Sequence, residues 1–364
     1  MSAFAARLRR TNRSQEAMRR GDGINIRAVD LFCGIGGLTH GLRLAGIDVK
    51  AGFDNDPSCR FAYEANNSGA VFTEADARTL SFSDFEPHYQ DADLKALVGC
   101  APCQPFSAHT RRQQGAETDD CSLIDEFARL ITEGLPDLVS MENVPGLAKH
   151  EAFGALCNQL TELDYTHKSG VLSCADYGVP QNRKRLVLVA SRLGKISLPS
   201  PTPGENKKTV HDFLNGLPPI GDGSVCSTDP AHTCMPLSET NRSRIHQSKP
   251  GGSWRDWEPH LVSKCHKKSY YPAPYGRMRW YAPAPTITTQ FCYYSTGRFG
   301  HPAQHRAISV REGALLQTFP RDYALIESSD APLPIHKLAR QVGNAVPVSL
   351  AQAIGESLME AAHE

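Results

Sequence analysis

The chain has 364 residues, 39 Lys+Arg against 39 Asp+Glu, with 40% hydrophobic and 21% charged residues. That composition fits one large globular domain or two unequal ones, and no run approaches the roughly 20 apolar residues of a membrane span. Zero net charge excludes a polyanionic partner only if the signs are evenly mixed, and they are not: residues 1–20 sum to +5, 21–190 to −10, 191–310 to +8 and 311–364 to −3.

The leader carries Arg7, Arg9, Arg10, Arg13, Arg19 and Arg20 with no apolar segment behind them. It reads as a frayed basic tail or an organelle transit segment, not a secretory signal. Eleven scattered cysteines suit a reducing compartment, and a cytoplasmic protein is expected.

Residues Arg27–Phe32 predict a buried strand. Cys33-Gly-Ile-Gly-Gly37 follows, then Leu38, Leu42 and Ala45 at helical spacing, with Gly46 at a C′ position. Glycines between strand and helix let backbone approach a ligand beside a helix N-terminus, although such turns also serve purely structural ends. A second strand, Val49–Phe53, ends in Asp54-Asn55-Asp56, and a third near Val71–Thr73 ends in Glu74-Ala75-Asp76. Asp30 to Asp54 spans 24 residues, close to the separation at which an acid grips ribose hydroxyls. Acids at three strand ends suit a nucleoside and would repel a pyrophosphate, which favours an adenosyl cofactor without phosphates over NAD.

The strand Leu94–Gly99 runs into Cys100-Ala-Pro-Cys103-Gln-Pro-Phe-Ser107. Its C-x-x-C reads as half a zinc site lacking a second pair, as a dithiol, or as one reactive thiol, Cys103, held by prolines; an inert buried cysteine is the plainer alternative. Pro136–Gly146 holds another strand, ending in Glu142-Asn143, so Glu142 is expected near Cys103 at the converging strand ends. Gln181, Arg183 and Arg185 alternate ahead of the strand Leu186–Ala190 and share one face. That face is either a solvated basic turn or a contact for a nucleotide phosphate or base edge.

Together with Arg311-Glu312-Gly-Ala-Leu-Leu-Gln317-Thr-Phe319-Pro320 and Gln341-Val-Gly343-Asn344-Ala-Val346-Pro347, these blocks resemble the DNA cytosine-5 methyltransferase family in its compact bacterial form. The resemblance covers residues 27–190 and 306–364. It implies an α/β, Rossmann-like S-adenosylmethionine-dependent methyltransferase domain over residues 1–190, completed by 335–364. A small target-recognition domain over 191–310 is inserted, with 311–334 as a hinge. Double-stranded DNA is the implied partner, bound in the cleft between the domains by a monomer in the bacterial cytoplasm at the nucleoid, with no metal, no membrane and a restriction endonuclease as a possible companion.

Residue by residue, the resemblance makes Cys103 the nucleophile that adds to carbon 6 of a flipped-out cytosine. Glu142 would hold and protonate the ring, and Arg183 and Arg185 would contact the base and its phosphate. Phe32, Gly34 and Gly36 would border S-adenosylmethionine; Asp54 would take the ribose, Asn55 would lie on the adenine and Asp76 would meet its amino group. Leu123, Asn344 and Val346 would complete that site. Gln104 and Ser107 would lie by the DNA. Asn55 departs from the apolar or aromatic residue usual there. The loop Ser107–Cys121 lacks a common basic residue near Asp119-Asp120-Cys121, which Arg111 and Arg112 would replace at a phosphate.

Between Pro259 and Arg311 there is no acid but there are eight Lys/Arg, and nine of the 28 aromatics lie between Tyr270 and Phe299. Basic and aromatic residues interleaved in this way suit a nucleic-acid face; an irregular small core with a solvated rim is the alternative. Trp280 and Tyr281 are expected in the core and Arg277, Arg279 and Arg298 on DNA. Pro283–Thr289 resembles the closing segment of the recognition domain. Three rivals stand beside DNA methylation: the same chemistry on tRNA, a catalytically silent DNA-binding module, and a dithiol oxidoreductase using Cys100 and Cys103.

Overall fold

The computed structural model describes residues 23–102, 122–202, 207–263, 266, 274–327 and 334–363. Among these, seven strands form one sheet: β1 (Ile26–Leu31), β2 (Asp48–Asp54), β3 (Val71–Glu74), β4 (Leu94–Gly99), β5 (Leu138–Asn143), β6 (Thr166–Ser173) and β8 (Lys184–Ser191). A two-residue β7 (Gln181–Asn182) pairs in parallel with β9 (Ala284–Pro285). The helices are α1 (Gly37–Leu44), α2 (Arg60–Asn66), α3 (Ser122–Gly134), α4 (Glu151–Glu162), α5 (Val210–Leu214), α6 (Glu239–Gln247), α7 (Val310–Leu316), α8 (Ile335–Asn344) and α9 (Val348–His363).

The sheet order is β3-β2-β1-β4-β5-β8-β6. β1 to β5 run parallel, and β8 lies antiparallel between β5 and β6. The inner strands are buried on both faces, which is why β1, β4 and β5 read as continuous apolar runs. From β1 the chain builds outward to β3, then returns to β4 on the other side of β1. The order therefore reverses between β1 and β4, and in such sheets the ligand crevice opens at the carboxyl ends beside that reversal. β6 has no counterpart in the sequence reading. It is an edge strand of largely exposed polar residues, so it lacks the apolar run that marks its neighbours.

One face of the sheet is filled by Phe53, Phe82, Phe85, Phe127, Leu147 and Leu188 among others. α9 returns to pack on α1, and a Cβ on Gly41 would lie 2.4 Å from the Ala351 Cβ, so the two helices meet at backbone range.

By internal contacts the chain divides into two units. The first runs to Ser173 and includes Lys184–Pro201 and the chain from Val348 onward; the second comprises Cys174–Arg183 and Thr202–Pro347. This differs from the boundaries read from sequence. Cys174–Arg183 belongs to the second unit because β7 pairs with β9, and α7 and α8 belong there too. Side-chain hydrogen bonds tie those segments together. Gln181 Nε2 donates to Leu316 O (2.9 Å) and its Oε1 accepts from Ile287 N (2.7 Å), while Gln317 Nε2 donates to Val342 O (2.9 Å).

The second unit is mostly irregular and rests on buried polar ties. Ser248 Oγ bridges Trp257 Nε1 and Tyr294 OH, both at 2.7 Å, and the Arg244 guanidinium lies 5.0 Å over the Trp257 ring. Trp280 is half-buried, but Tyr281 is 79% exposed, against the expectation for it. Backbone hydrogen bonds from Val210 N to Ala282 O and His211 N to Trp280 O pair the segment on both sides of Tyr281, leaving its side chain outside.

Candidate active site

The carboxyl ends of β1 to β5 carry the polar groups of the first unit. After β1 the chain turns sharply: Phe32 has φ +63°, Gly34 +50° and Gly36 +85°. The Phe32 and Cys33 N–H groups both donate to Phe53 O (2.7 and 3.2 Å), which locks this turn to the end of β2. A Cβ on Gly34 would meet nothing within 4 Å, so the turn faces open space and can take a ligand against bare backbone.

Asp54, at the end of β2, uses one carboxylate oxygen to accept the Gly34 N–H (2.8 Å) and the other to accept the Asp56 N–H (2.9 Å). Burial pushes its carboxyl up despite those donors. The acid expected at a ribose thus also holds the glycine turn, and each oxygen keeps a lone pair for a hydroxyl. Asn55 is exposed beside it. Asp76 caps the turn after β3 by accepting the Arg78 N–H at 3.0 Å, with its side chain 40% exposed. Leu123, on α3, packs partly buried against the sheet core. Phe32 is also partly buried there. Open space over Gly34 and acids at the ends of β2 and β3 fit S-adenosylmethionine, whose nucleoside carries hydroxyls and an amine but no phosphate.

Glu142, at the end of β5, is 2% exposed. Cys100 Sγ donates to its Oε2 at 3.0 Å, and Arg185 Nε lies 2.8 Å from its Oε1. The arginine contact is an ion pair only, because Oε1 has no partner in hydrogen-bond geometry. The neighbouring Asn143 is buried and ties β5 to β4: its Nδ2 donates to Ala101 O (3.0 Å) and its Oδ1 accepts the Val144 N–H (2.8 Å). The structure brings Glu142 and Arg185 together, a pairing the sequence reading did not name, and adds Cys100, which sequence reasoning had weighed only as a metal ligand or redox partner.

Cys103, Gln104, Ser107, Arg111 and Arg112 lie outside the described residues. Two other arginines are braces. Arg183 is 1% exposed and donates to Ile287 O (2.8 Å), Gly343 O (3.2 Å) and Ala345 O (3.4 Å). Arg277 is 4% exposed; it donates to His301 O (2.9 Å) and Gln304 O (3.0 Å), and burial lowers its proton affinity. Both guanidiniums, expected at a base or on DNA, are here buried against backbone carbonyls. Irregular segments leave carbonyls without ladder partners, and a buried guanidinium with five donors satisfies several at once. Arg279 is exposed, and Arg298 is partly exposed and donates to Gly251 O at 3.0 Å. Asn344, the last residue of α8, is exposed, whereas Val346 is in the core of its region.

A family model of C-5 cytosine-specific DNA methylases matches residues 26–360. The chain is 45% identical over 347 residues to the Type II methylase M.HgiDII of Herpetosiphon aurantiacus, covering 92% of this chain and 96% of that protein. It is 31% identical over 344 residues to the Type II methyltransferase M.Eco47II of Escherichia coli, covering 91% and 78%. Among solved structures, a candidate DNA modification methyltransferase from an Escherichia coli prophage shares the fold with TM-score 0.71 at 21% identity, over 93% of this chain and all of that one. The sheet with its glycine turn is thus the Rossmann-like fold of S-adenosylmethionine-dependent methyltransferases.

Proposed function

Since the chain belongs to the family of C-5 cytosine-specific DNA methylases and is a DNA cytosine-5 methyltransferase, we propose that it acts on a cytosine turned out of duplex DNA, through a covalent adduct on Cys103. The observation that carries this reading is the carboxyl of Glu142. It is buried at the ligand edge of the sheet, flanked by Cys100 and Arg185, in the unit that holds the glycine turn.

Carbon 5 of cytosine is a weak nucleophile and the base is unreachable within a duplex, so extrusion comes first, at a cost of a few kcal/mol. The Cys103 thiolate forms a bond to carbon 6, and the displaced electron pair moves toward ring nitrogen 3. Glu142 delivers a proton there, so no full negative charge builds up on the ring. Arg185 holds Glu142 through the ion pair and presents its remaining donors to the base. The turn Phe32–Gly36 with Asp54, Asn55 and Asp76 would hold S-adenosylmethionine, which when bound would supply an electrophilic sulfonium methyl to the enamine-like carbon 5. Loss of the carbon-5 proton to a base then breaks the sulfur–carbon 6 bond and regenerates Cys103.

Arg279, exposed, and Arg298, partly exposed, lie in an acid-free stretch and face the DNA backbone in this reading. The enzyme acts as a monomer on DNA in the cytoplasm. The Type II relatives support a companion endonuclease with the same recognition sequence. The test is Cys103→Ser: methyl transfer should vanish while S-adenosylmethionine still binds in calorimetry. Undiminished turnover by that variant would remove Cys103 as the nucleophile.

A further inference from the structure

We propose that Cys100 is a positioning residue for Glu142, setting the orientation of the carboxyl that serves the cytosine ring. This rests on the reading of Glu142 as the group that protonates the base. Among the described residues, Cys100 and Arg185 contact the Glu142 carboxyl unequally. Arg185 Nε lies 2.8 Å from Oε1 but outside hydrogen-bond geometry, so it attracts the carboxylate without fixing its rotation. The Cys100 thiol lies 3.0 Å from Oε2 in donor geometry, so it fixes the plane of the group.

The anchor is itself held. Cys100 N–H donates to Leu31 O at 3.3 Å, which sets its backbone against β1 at the reversal of strand order. The ends of β4 and β5 are joined separately by Asn143 Nδ2 to Ala101 O at 3.0 Å. That second tie, with the backbone pairing of β4 and β5, carries a structural link between the two strand ends that does not depend on the thiol. A thiol is a weak donor. It orients the oxygen without the full charge that a lysine in the same place would bring.

The test is steady-state methyl transfer into duplex DNA for wild type, Cys100→Ala, Cys100→Ser and Glu142→Gln. S-Adenosylmethionine affinity and thermal melting of each variant report on the fold. With the donor gone, Cys100→Ala should lose about five- to tenfold in kcat with KM for DNA little changed, the lower end for a hydrogen bond to a charged group because the donor is sulfur. Cys100→Ser, which keeps a donor, should restore kcat. Should Cys100→Ala fail to fold, Cys100→Val, of similar volume and without a donor, gives the same comparison with Ser. Wild-type kcat in the donor-less variant overturns the proposal, as does equal impairment in the Ser variant. Glu142→Gln impaired with Cys100→Ala normal sinks this inference alone, whereas Glu142→Gln as active as wild type sinks the reading beneath it as well.

Discussion

Asp30 ends β1 beneath the glycine turn with its carboxyl fully buried. Its Oδ2 accepts from Thr39 Oγ1 at 2.7 Å, and that hydroxyl also lies 3.1 Å from Tyr63 OH. Among the described residues its Oδ1 has no hydrogen-bond partner. Burial, with the Asp54 charge adding to it and the Thr39 hydroxyl opposing it, pushes the carboxyl up from 3.8 to about 7. Because the folded value lies above the unfolded one, the stability tied to this group is fully present below pH 3.8 and is lost as pH rises through about 7. The whole loss is on the order of 4 kcal/mol, of which about 2–3 kcal/mol falls between pH 5 and 8. Asp30→Asn keeps the shape and removes the titration. In urea denaturation at pH 5, 6, 7 and 8, wild type should lose about 2–3 kcal/mol relative to Asp30→Asn across that range. Stability curves that stay parallel between the two proteins would refute the reasoning, whatever their separation.

Two further outcomes are expected in the second unit. Burial would raise the Glu312 carboxyl, but the Arg306 guanidinium, 2.7 Å from each oxygen, overrides this and holds it near about 2. Its stabilising effect is therefore present above pH 4.5 and lost as pH falls toward about 2. Glu312→Gln should destabilise at pH 7 by about 3–5 kcal/mol, because it strands the buried Arg306 charge. The deficit should shrink in melts at pH 3, and an equal deficit at both values would contradict the linkage. Gly343→Ala should also destabilise, by about 1–3 kcal/mol, although Ala favours an open helix position. Its Cβ would lie 2.4 Å from Thr288 O and 2.6 Å from Thr289 N, backbone atoms that cannot swing aside. An unchanged melting temperature would count against the packing of α8 on that segment.

Much of the first unit was legible because its signals are local. Strand Ile26–Leu31, the glycine turn and helix Gly37–Leu44 follow one another in sequence, and Gly46 stands after the helix at φ +93° as its position suggests. Glu142 was found from a strand that ends in a carboxylate. What failed was inference from composition to exposure. Alternation was expected to put Gln181, Arg183 and Arg185 on one face; Arg185 pairs with Glu142 in the first unit, and periodicity does not say whether the face of Gln181 and Arg183 meets water or another segment. Here it meets carbonyls more than a hundred residues along the chain. Arg277 misled in the same way, since an acid-free stretch can hold an arginine that serves backbone carbonyls instead of a polyanion. The bond from Cys100 to Glu142 joins residues 42 apart through the pairing of β4 with β5, which no spacing rule encodes.

The most direct test is to incubate the protein with S-adenosylmethionine labelled in its methyl group and duplex DNA of mixed sequence, then map the labelled base at nucleotide resolution. The expected result is label on carbon 5 of cytosine, within one short recurring sequence, absent with Cys103→Ser. Label on tRNA but on no DNA, or on a ring position other than carbon 5, would contradict it.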